Sequence, residues 1–352
     1  MPRVSVIIPT YNRSFLCERA VKSVLDQTYT DFEVIVADDG STDETRRAIE
    51  HLSDKIRYLC LEHHGRSRAR NRAIAKARGE YIAFLDSDDI FLPHTLAGQV
   101  EHLDKNPDYG MVYGQAICFG ENADVLHIYQ TGGSGWLYHE IAFLLPLTIV
   151  LCSVMVRRTV LEKVGGFDEQ MERFEDTDMW RRISRQAQIL AINEPLCKIL
   201  SHDGNAMQHP RREFGCLRYY VRKIFDEDRD IDKAFRKRGA ARLYHHYCKA
   251  VREAYPKSWT ASIFALWAIF YQPLQPLYYR YLLPGDFWQL RGVRLFPSLK
   301  TWMAGSRFIL LLRFSIDIFA FLLANPSDFF RRLKKRLTDG ARSKGKKVAR
   351  NG

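Results

Sequence analysis

The sequence contains little cysteine, with seven residues among 352. The seven are scattered, odd in number and never spaced C-x-x-C, which argues against both a zinc site and a disulfide framework. We therefore expect reduced thiols and a cytoplasmic setting. Internal repeats are also absent from the sequence, and low complexity is confined to its basic end.

Long apolar runs are scarce too. Residues 259–271 are apolar but number about 13, against the ~20 that a membrane-spanning helix needs. Residues 307–323 carry Arg313 and Asp317 within an otherwise apolar pattern.

No apolar leader precedes the first strand pattern, so we do not expect secretion. With 46% hydrophobic and 27% charged residues, the composition indicates a folded globular protein.

The first hundred residues lack the patterns G-x-G-x-x-G and G-x-x-x-x-G-K-[ST]. This absence excludes a dinucleotide-binding fingerprint and a P-loop from the region. Any phosphate bound there must be held by other groups.

The formal net charge is +12, and most of it lies at one end of the sequence. Residues 331–352 hold ten Lys or Arg against the acid Asp339. This tail predicts contact with an anionic membrane surface or another polyanion, and a solvated, disordered tail is the alternative. Because its basic residues are not interleaved with aromatic ones, we do not expect nucleic-acid binding.

Strand and helix patterns alternate through the first ninety residues. Apolar runs rich in β-branched residues at 4–9, 32–37, 56–61 and 81–85 predict four strands, and helical patterns separate them. Such alternation is typical of a parallel sheet covered by helices. Beyond about residue 205 the pattern changes to Arg, Tyr and Phe at helical spacing, so we place a domain boundary near 205–215.

Polar residues follow three of the predicted strands, at 11–12, 38–40 and 86–89. In open α/β sheets, ligands bind beyond the carboxyl ends of the strands. We therefore expect these three segments to converge on one crevice.

The segment Asp86-Ser87-Asp88-Asp89 places three carboxylates at the end of a buried strand. Their charges repel one another, and a cation relieves that repulsion. Hard oxygen ligands in a short loop suit Mg²⁺ or Mn²⁺, and Mg²⁺ commonly shares its coordination with substrate phosphates and water. The alternative is a helix N-cap or a solvated turn, where Asp is also common.

Five segments, taken together, resemble the family 2 glycosyltransferases. They are VSVIIPTYNR (4–13), ADDGSTDET (37–45), ARGEYIAFLDSDD (77–89), GGFDE (165–169) and EDTDMWRR (175–182). They occur in the family's order and approximate spacing, and the resemblance covers about residues 1–205.

The resemblance implies the GT-A fold, an α/β nucleotide-diphospho-sugar transferase domain with a mostly parallel sheet. We place this catalytic domain at residues 1–210. A helical region is expected at 211–300, and an amphipathic helix with the basic tail at 301–352.

The resemblance also implies a donor site for a nucleotide diphosphate sugar, and a UDP-sugar is favoured. Its residues are Pro9, Tyr11, Asp39, Arg70, Asp86 and Ser87. Tyr11 would lie against the base, Asp39 would accept a hydrogen bond from a uracil-like ring, and Asp86 would approach the ribose. Asp88 would ligate a Mn²⁺ or Mg²⁺ ion that bridges the diphosphate, with the charge of Arg70 nearby.

Several neighbouring residues have simpler explanations. Asp38 is equally well explained as a turn residue before Gly40. Arg66, Arg68 and Arg72 fit a solvated helix face.

Sugar transfer needs a neutralised diphosphate and a carboxylate that deprotonates the acceptor hydroxyl. Asp176, in Glu175-Asp176-Thr177-Asp178, matches the family's position for that base. One base with direct displacement implies inversion of the anomeric configuration. The same acids also suit the first turn of a helix, where the dipole favours negative charge, and we expect Asp178 to be mostly structural.

Two further residues have open alternatives. His202 resembles a histidine that faces the diphosphate or the metal in many relatives, and the alternative is an ordinary surface or core histidine. Trp136 lies in a glycine-rich stretch that borders the acceptor in the family. Its ring suits stacking on a sugar, or a core position beside the apolar residues 141–147.

The sequence therefore predicts a metal-dependent, inverting glycosyltransferase with a glycan or lipid-linked acceptor, acting in surface polysaccharide or lipid-linked glycan synthesis. A non-catalytic sugar-nucleotide-binding or scaffold protein of the same fold is the alternative. A glycoside hydrolase is not expected, because adjacent Asp residues on one turn cannot flank a scissile bond. The amphipathic helix and basic tail predict peripheral attachment to the inner face of the cell membrane, with a packed helix or a membrane span as alternatives.

Overall fold

The computed structural model describes residues 1–120, 122, 124–143, 147–201, 210–255 and 260–272. These residues belong to one compact unit, Met1–Leu282. The predicted histidine site at His202, the amphipathic helix and the basic tail lie outside the described residues.

The described strands and helices alternate through the first half of the chain. The strands are β1 (Val4–Thr10), β2 (Phe32–Asp38), β3 (Arg57–Cys60), β4 (Tyr81–Phe84), β5 (Ile90–Phe91), β6 (Tyr109–Phe119), β7 (Val125–Tyr129), β8 (Val154–Arg157) and β9 (Gln188–Leu200). The α-helices are α1 (Ser14–Leu25), α2 (Thr45–Ile49), α3 (Arg66–Ile74), α4 (Thr95–Lys105), α5 (Tyr138–Ala142), α6 (Arg158–Val164), α7 (Glu175–Ile183), α8 (Pro210–Glu227), α9 (Lys233–Ala254) and α10 (Thr260–Tyr271).

The described strands form one sheet in the order β3-β2-β1-β4-β8-β6-β9-β5, with β7 beside β6. The first four strands are parallel to one another, as predicted. Strand β8 runs antiparallel to both β4 and β6, whereas β6 and β9 are parallel. The α/β fold class is confirmed, and the antiparallel pairs belong to the second half of the sheet.

The central strand β1 is buried along its whole length. Its side chains alternate between two cores, because successive residues of a strand point to opposite faces of the sheet. Val4, Val6 and Ile8 belong to the core under one face, and Ile7 belongs to the core under the other. Burial on both faces explains why the sequence of β1 is an unbroken apolar run.

Helices α8, α9 and α10 form a third core with residues that precede α7. This core includes Phe143, Met171 and Phe174 from the earlier part of the chain, together with apolar residues of the three helices. Gly239 of α9 lies so close to Phe143 that a Cβ atom at this position would come within 2.3 Å of the ring. Residues on both sides of the predicted domain boundary near 205–215 share this core. The boundary itself stays a prediction.

Most of the apolar stretch at 259–271 forms α10. The side chains of Phe264, Ala265 and Ala268 are buried in the third core, so this helix packs within the protein. In the part of the chain that the structure describes, no helix has the length and apolar character needed to cross a membrane.

Buried ion pairs tie α7 to α8 and the segment after it. The guanidinium of Arg181 is fully buried and contacts Asp178 at 2.8 Å and Asp228 at 2.6 Å. Lys223 of α8 lies 3.0 Å from the second carboxylate oxygen of Asp178. These contacts fix the orientation of α7 relative to α8.

Candidate active site

The carboxyl ends of β1, β2 and β4 lie side by side, because β1 sits between β2 and β4 in the sheet. The parallel register places Thr10 opposite Asp38 and Ile7 opposite Phe84. The segments that follow these strands therefore meet at one edge of the sheet, which is the arrangement that the sequence predicts.

Hydrogen bonds join the loop after β1 to the loop after β2. Asn12 adopts a left-handed backbone conformation with φ of 51°, which asparagine tolerates better than most residues. Its side-chain oxygen accepts a hydrogen bond of 2.8 Å from the amide of Thr42, and its own amide donates to Ser41 at 2.8 Å. The amide of Arg13 donates to Thr45 Oγ1 at 3.0 Å. These bonds hold residues 11–13 at the mouth of the site.

Tyr11, predicted to lie against the nucleotide base, stacks on His63. The two ring centroids are 4.0 Å apart and the ring planes differ by 19°. Tyr11 remains 40% exposed, so part of its surface stays open to a ligand. Pro9 lies two residues earlier in β1, opposite Ala37 of β2.

Asp39 is buried and has partners within the chain. Its carboxylate accepts hydrogen bonds from the amides of His64 at 2.9 Å and Gly65 at 2.8 Å, and it lies 2.8 Å from the ring of His63. The carboxylate thus holds the loop between β3 and α3. Its contact with a uracil-like ring stays a prediction, and such a ring would share an acceptor that already serves the loop.

Asp38 accepts hydrogen bonds from the hydroxyl of Tyr58 and from the amide of Ser41, the latter at 2.8 Å. Both bonds stabilise the turn after β2. They support the turn explanation for this residue.

Arg70 of α3 lies at the centre of the site and is 1% exposed. Its guanidinium contacts Asp86 at 2.5 Å and Glu175 at 3.3 Å, and it lies 5.3 Å from the ring centre of Phe167. Burial raises the pKa of Asp86, but the charges of Arg70, Arg66 and Arg13 and the hydrogen bond from Arg70 together outweigh burial and hold that pKa below its ordinary value. Asp86 is therefore ionised at neutral pH.

Arg66 also contacts Glu175, with its Nε 2.6 Å from the carboxylate. This residue therefore belongs to the ion-pair network, although the sequence pattern favoured a solvated helix face. Glu175 joins α7 to two arginines of α3, a contact that the spacing of the sequence does not reveal.

Asp88 and Asp89 also have partners within the chain. Arg13 forms an ion pair with the carboxylate of Asp88, and Arg19 donates to the backbone carbonyl of Asp88 at 3.0 Å. Asp89 is buried and accepts a hydrogen bond from the amide of Leu200 at 3.2 Å. Burial, together with the charges of Asp86 and Asp88, raises the pKa of Asp89 well above its ordinary value. Asp89 is therefore not a third exposed carboxylate.

The carboxylate of Asp88 fits a cation that takes most of its ligands from the substrate. Within the described residues, no group of three or more His, Cys, Asp or Glu side chains is arranged to hold a metal ion. Asp88 supplies a hard carboxylate oxygen, and Mg²⁺ commonly uses one or two such oxygens with phosphates and water. Ser87 is buried beside it.

Asp176 lies in the first turn of α7. Burial and then the charge of Glu175 raise the pKa of Asp176 to about 6. Its Oδ1 accepts a hydrogen bond of 2.6 Å from the amide of Thr177. Its other carboxylate oxygen, Oδ2, accepts no hydrogen bond from any residue that the structure describes. An oxygen with this basicity is suited to take a proton at neutral pH.

The residue before α7, Phe174, has a left-handed backbone with φ of 67°. This conformation is strained for a bulky side chain. Its ring stacks on Tyr220 at a centroid distance of 5.4 Å and meets Tyr247 edge-on at 5.5 Å. Two aromatic residues of α8 and α9 thus hold the backbone that carries Asp176. Neither the strained conformation nor these contacts has a signal in the local sequence.

Trp136 is 63% exposed, so the core position considered for it does not hold. The preceding Gly135 has φ of 115° and pairs with Ile189 of β9 through two backbone hydrogen bonds. The loop therefore presents this ring on the surface.

Residues 5–165 match the family model described as Glycosyl transferase family 2. This part of the chain belongs to glycosyltransferase family 2. The match ends before Asp176, so the candidate base lies in the segment that follows it.

Two relatives show how far the family likeness extends. An uncharacterized glycosyltransferase of Rickettsia typhi is 31% identical over 206 residues, which cover 57% of this chain and 65% of the relative. A GalNAc(5)-diNAcBac-PP-undecaprenol beta-1,3-glucosyltransferase of Campylobacter jejuni is 36% identical over 122 residues, covering 33% of this chain and 39% of the relative. The alignments span less than two thirds of either relative.

Two solved structures share the fold. S. aureus TarS 1-349 in complex with UDP-GlcNAc has a TM-score of 0.58 and 21% identity, covering 76% of this chain and 82% of TarS. The mannosyltransferase PcManGT of Pyrobaculum calidifontis, in complex with GDP-Man and Mn²⁺, has a TM-score of 0.50 and 20% identity, covering 80% and 83%. These likenesses confirm the GT-A-type fold.

The raised pKa of Asp176 predicts that this residue lowers the stability of the fold. Its pKa is about 6 in the folded protein and about 3.9 in the unfolded chain. Below pH ~3.9 the group is protonated in both states, and its contribution to the free energy of unfolding is then most favourable. That contribution is lost as the pH rises through about 6, the folded pKa. Asp176→Asn should therefore raise the free energy of unfolding by as much as ~2 kcal/mol at pH 8, with a difference that shrinks toward zero at pH 4. Urea unfolding measures both values.

Asp178→Asn is the matched control, two residues along the same helix. Burial raises the pKa of Asp178, but the charges of Arg181, Arg182 and Lys223 outweigh it and lower the pKa. This variant should lose about 3 kcal/mol at pH 8, because it removes the charge of a buried carboxylate that Arg181, Arg182 and Lys223 share. An Asp176→Asn protein that is less stable than the parent at pH 8 would contradict the raised pKa.

Proposed function

We propose that this chain transfers a sugar from a nucleoside diphosphate donor to an acceptor hydroxyl, with inversion of the anomeric configuration. The observation that carries the proposal is Asp176, a carboxylate with a pKa near neutrality. It directly follows Glu175, which Arg70 joins to Asp86 at the end of β4. The proposed base and the proposed donor site are thus parts of one electrostatic unit.

The donor is proposed to lie across the carboxyl ends of β1, β2 and β4. The exposed part of the Tyr11 ring offers a stacking surface for the base, next to Pro9 and Asp39. Asp86 and Ser87 would face the ribose, and Arg70 would add positive charge near the diphosphate. The UDP-GlcNAc bound in the structure of TarS supports a UDP-sugar as the donor class.

In the proposed reaction, Asp176 takes the proton of the acceptor hydroxyl. The acceptor oxygen then bonds to the anomeric carbon as the bond from that carbon to the diphosphate breaks. Because one carboxylate assists a direct displacement, the configuration inverts. Burial of Asp176 keeps its basicity close to the working pH, which favours proton transfer.

Asp88 is the residue proposed to hold a divalent cation. When bound, Mn²⁺ or Mg²⁺ supplies Lewis-acid stabilisation to the leaving diphosphate. The Mn²⁺ in the structure of PcManGT supports this assignment. His202, the weaker candidate ligand, stays a prediction from the sequence.

A non-catalytic sugar-nucleotide-binding protein is the competing function. It requires the same donor residues but gives no role to a basic carboxylate beside them. The pKa of Asp176 favours the enzyme.

The acceptor is proposed to be a glycan or a lipid-linked glycan. The Campylobacter relative carries undecaprenol in the name of its substrate, which supports a lipid-linked class. Peripheral attachment to an anionic membrane through residues 301–352 would bring the site close to such an acceptor.

The activity is tested by Asp176→Asn. The variant should bind UDP normally and lose transfer by ~10²-fold or more, because an amide does not accept the proton. In the parent protein, kcat/KM should rise with pH through about 6, since the base acts only when it is ionised. Turnover of a panel of UDP- and GDP-sugars measures the loss of transfer and the pH dependence. NMR of the product determines its anomeric configuration.

Glu172→Gln is the control for this substitution, since it changes an exposed carboxylate of the preceding loop that pairs with Arg212. It should transfer at nearly the parental rate. Normal turnover of Asp176→Asn, or a product with retained configuration, would remove the proposed base.

The cation is tested by chelation. Excess EDTA should abolish transfer, and added Mn²⁺ should restore it in the parent protein but not in Asp88→Ala, which lacks the proposed ligand. Full activity in EDTA, or in the Asp88→Ala protein, would show that this carboxylate holds no required cation.

Membrane attachment is tested by co-sedimentation with anionic vesicles. The full-length protein should pellet and be released by high salt, because each basic residue near an anionic surface contributes ~1 kcal/mol. A chain ending at Pro297 should stay in the supernatant. Identical behaviour of the two proteins would disprove attachment through the basic end.

A further inference from the structure

The ion pair between Arg13 and Asp88 occupies the carboxylate proposed to hold the cation. Arg13 lies in the loop directly after β1, and one of its terminal nitrogens contacts Oδ2 of Asp88. The side chain of Asp88 is 14% exposed, and Arg13 lies against its Oδ2. A cation that binds Asp88 must therefore compete with an arginine of the same chain.

The charges of the turn at 86–89 are balanced before any ligand binds. Asp86 is paired with Arg70, Asp88 is paired with Arg13, and Asp89 is buried with a hydrogen bond from Leu200. Repulsion among these carboxylates, which first suggested a cation, is thus already relieved by arginines. The cation alone gains little here, because it displaces a positive charge that is already in place.

The two arginines differ in their freedom to move. Arg70 is buried and contacts Asp86, Glu175 and the ring of Phe167. The side chain of Arg13 is 34% exposed and borders an open cleft with Asn12, Asp43 and Leu200. Arg13 is therefore the partner that can leave its carboxylate at low cost.

We propose that Arg13 is an internal counter-ion of Asp88 that moves onto the donor diphosphate when the nucleotide binds. This inference rests on the proposed function, because it places the diphosphate beside Asp88. The planar guanidinium suits two phosphate oxygens at once, and that contact replaces the lost ion pair. Loss of this ion pair removes a positive charge that competes with the cation for Asp88.

The exchange makes cation and nucleotide bind cooperatively. The nucleotide removes the competitor of the cation, so each ligand increases the affinity for the other by the same factor. Arg13 thus acts as a phosphate-binding residue and adds to the coupling that the cation and the diphosphate already have through their mutual attraction. It also keeps the cation from occupying the site without the nucleotide.

Calorimetry on the full chain tests the exchange, with Mn²⁺ and UDP as the probes. The affinity for Mn²⁺ is measured with and without saturating UDP, and the affinity for UDP is measured without metal. Arg13→Gln should bind Mn²⁺ alone about tenfold more tightly than the parent, and the enhancement by UDP should fall by a similar factor. Its affinity for UDP without metal should also fall, because a phosphate contact is lost.

Arg3→Gln is the matched control. Arg3 precedes β1, as Arg13 follows it, and it pairs with Asp104 at 2.8 Å and Glu80 at 3.2 Å at the opposite edge of the sheet. This variant removes a comparable ion pair and should keep parental affinities. Arg13→Lys retains the charge and should keep the weak binding of Mn²⁺ alone, which separates loss of the counter-ion from general damage to the fold.

Each outcome of these titrations has one meaning. If Arg13→Gln and Arg3→Gln bind Mn²⁺ alone with equal affinity and show equal enhancement by UDP, the counter-ion role is wrong and the proposed function is untouched. If the parent protein binds UDP but no Mn²⁺ under any condition, the cation and this inference fail together. Failure of the parent to bind any nucleotide overturns the proposed function itself.

Discussion

The buried guanidinium of Arg70 is the charge on which the candidate site depends. It lies between Asp86, at the end of β4, and Glu175, at the start of α7, so one side chain joins three elements. Burying these charges costs desolvation energy that hydrophobic contacts would avoid. The ion pairs provide a fixed arrangement, because an acid that leaves the arginine also leaves a buried guanidinium with one partner fewer.

This arrangement places two acids of α7 in opposite electrostatic surroundings. Asp176 and Asp178 are two residues apart, and two residues of an α-helix differ by ~200° around its axis. Asp176 is half-buried and lies next to Glu175, and burial together with that negative charge raises its pKa. Asp178 faces Arg181, Arg182 and Lys223, and its pKa falls. One short helix thus carries one carboxyl group with a raised pKa and one with a lowered pKa.

The sequence predicts the parts of this protein that local patterns determine. The apolar runs of β1 and β4 predict parallel strands because both faces of a central strand are buried, and the strand order brings their polar ends together. Pairings between distant residues are not predictable in this way. The contact of Arg13 with Asp88, that of Arg70 with Glu175 and the strained backbone of Phe174 depend on the folded chain, and so does the antiparallel direction of β8.

The aromatic contacts of Phe174 set where this protein can be recombined with its relatives. The first half of the sheet carries the residues proposed to bind the donor and lies within the family match. Phe174 and Asp176 lie beyond that match, and Phe174 packs against Tyr220 of α8 and Tyr247 of α9. A crossover before residue 166 would exchange α7 and its aromatic support as one inherited block. A crossover between α7 and α8 would separate Asp176 from the rings that hold its backbone, so the first junction keeps this packing intact and the second does not.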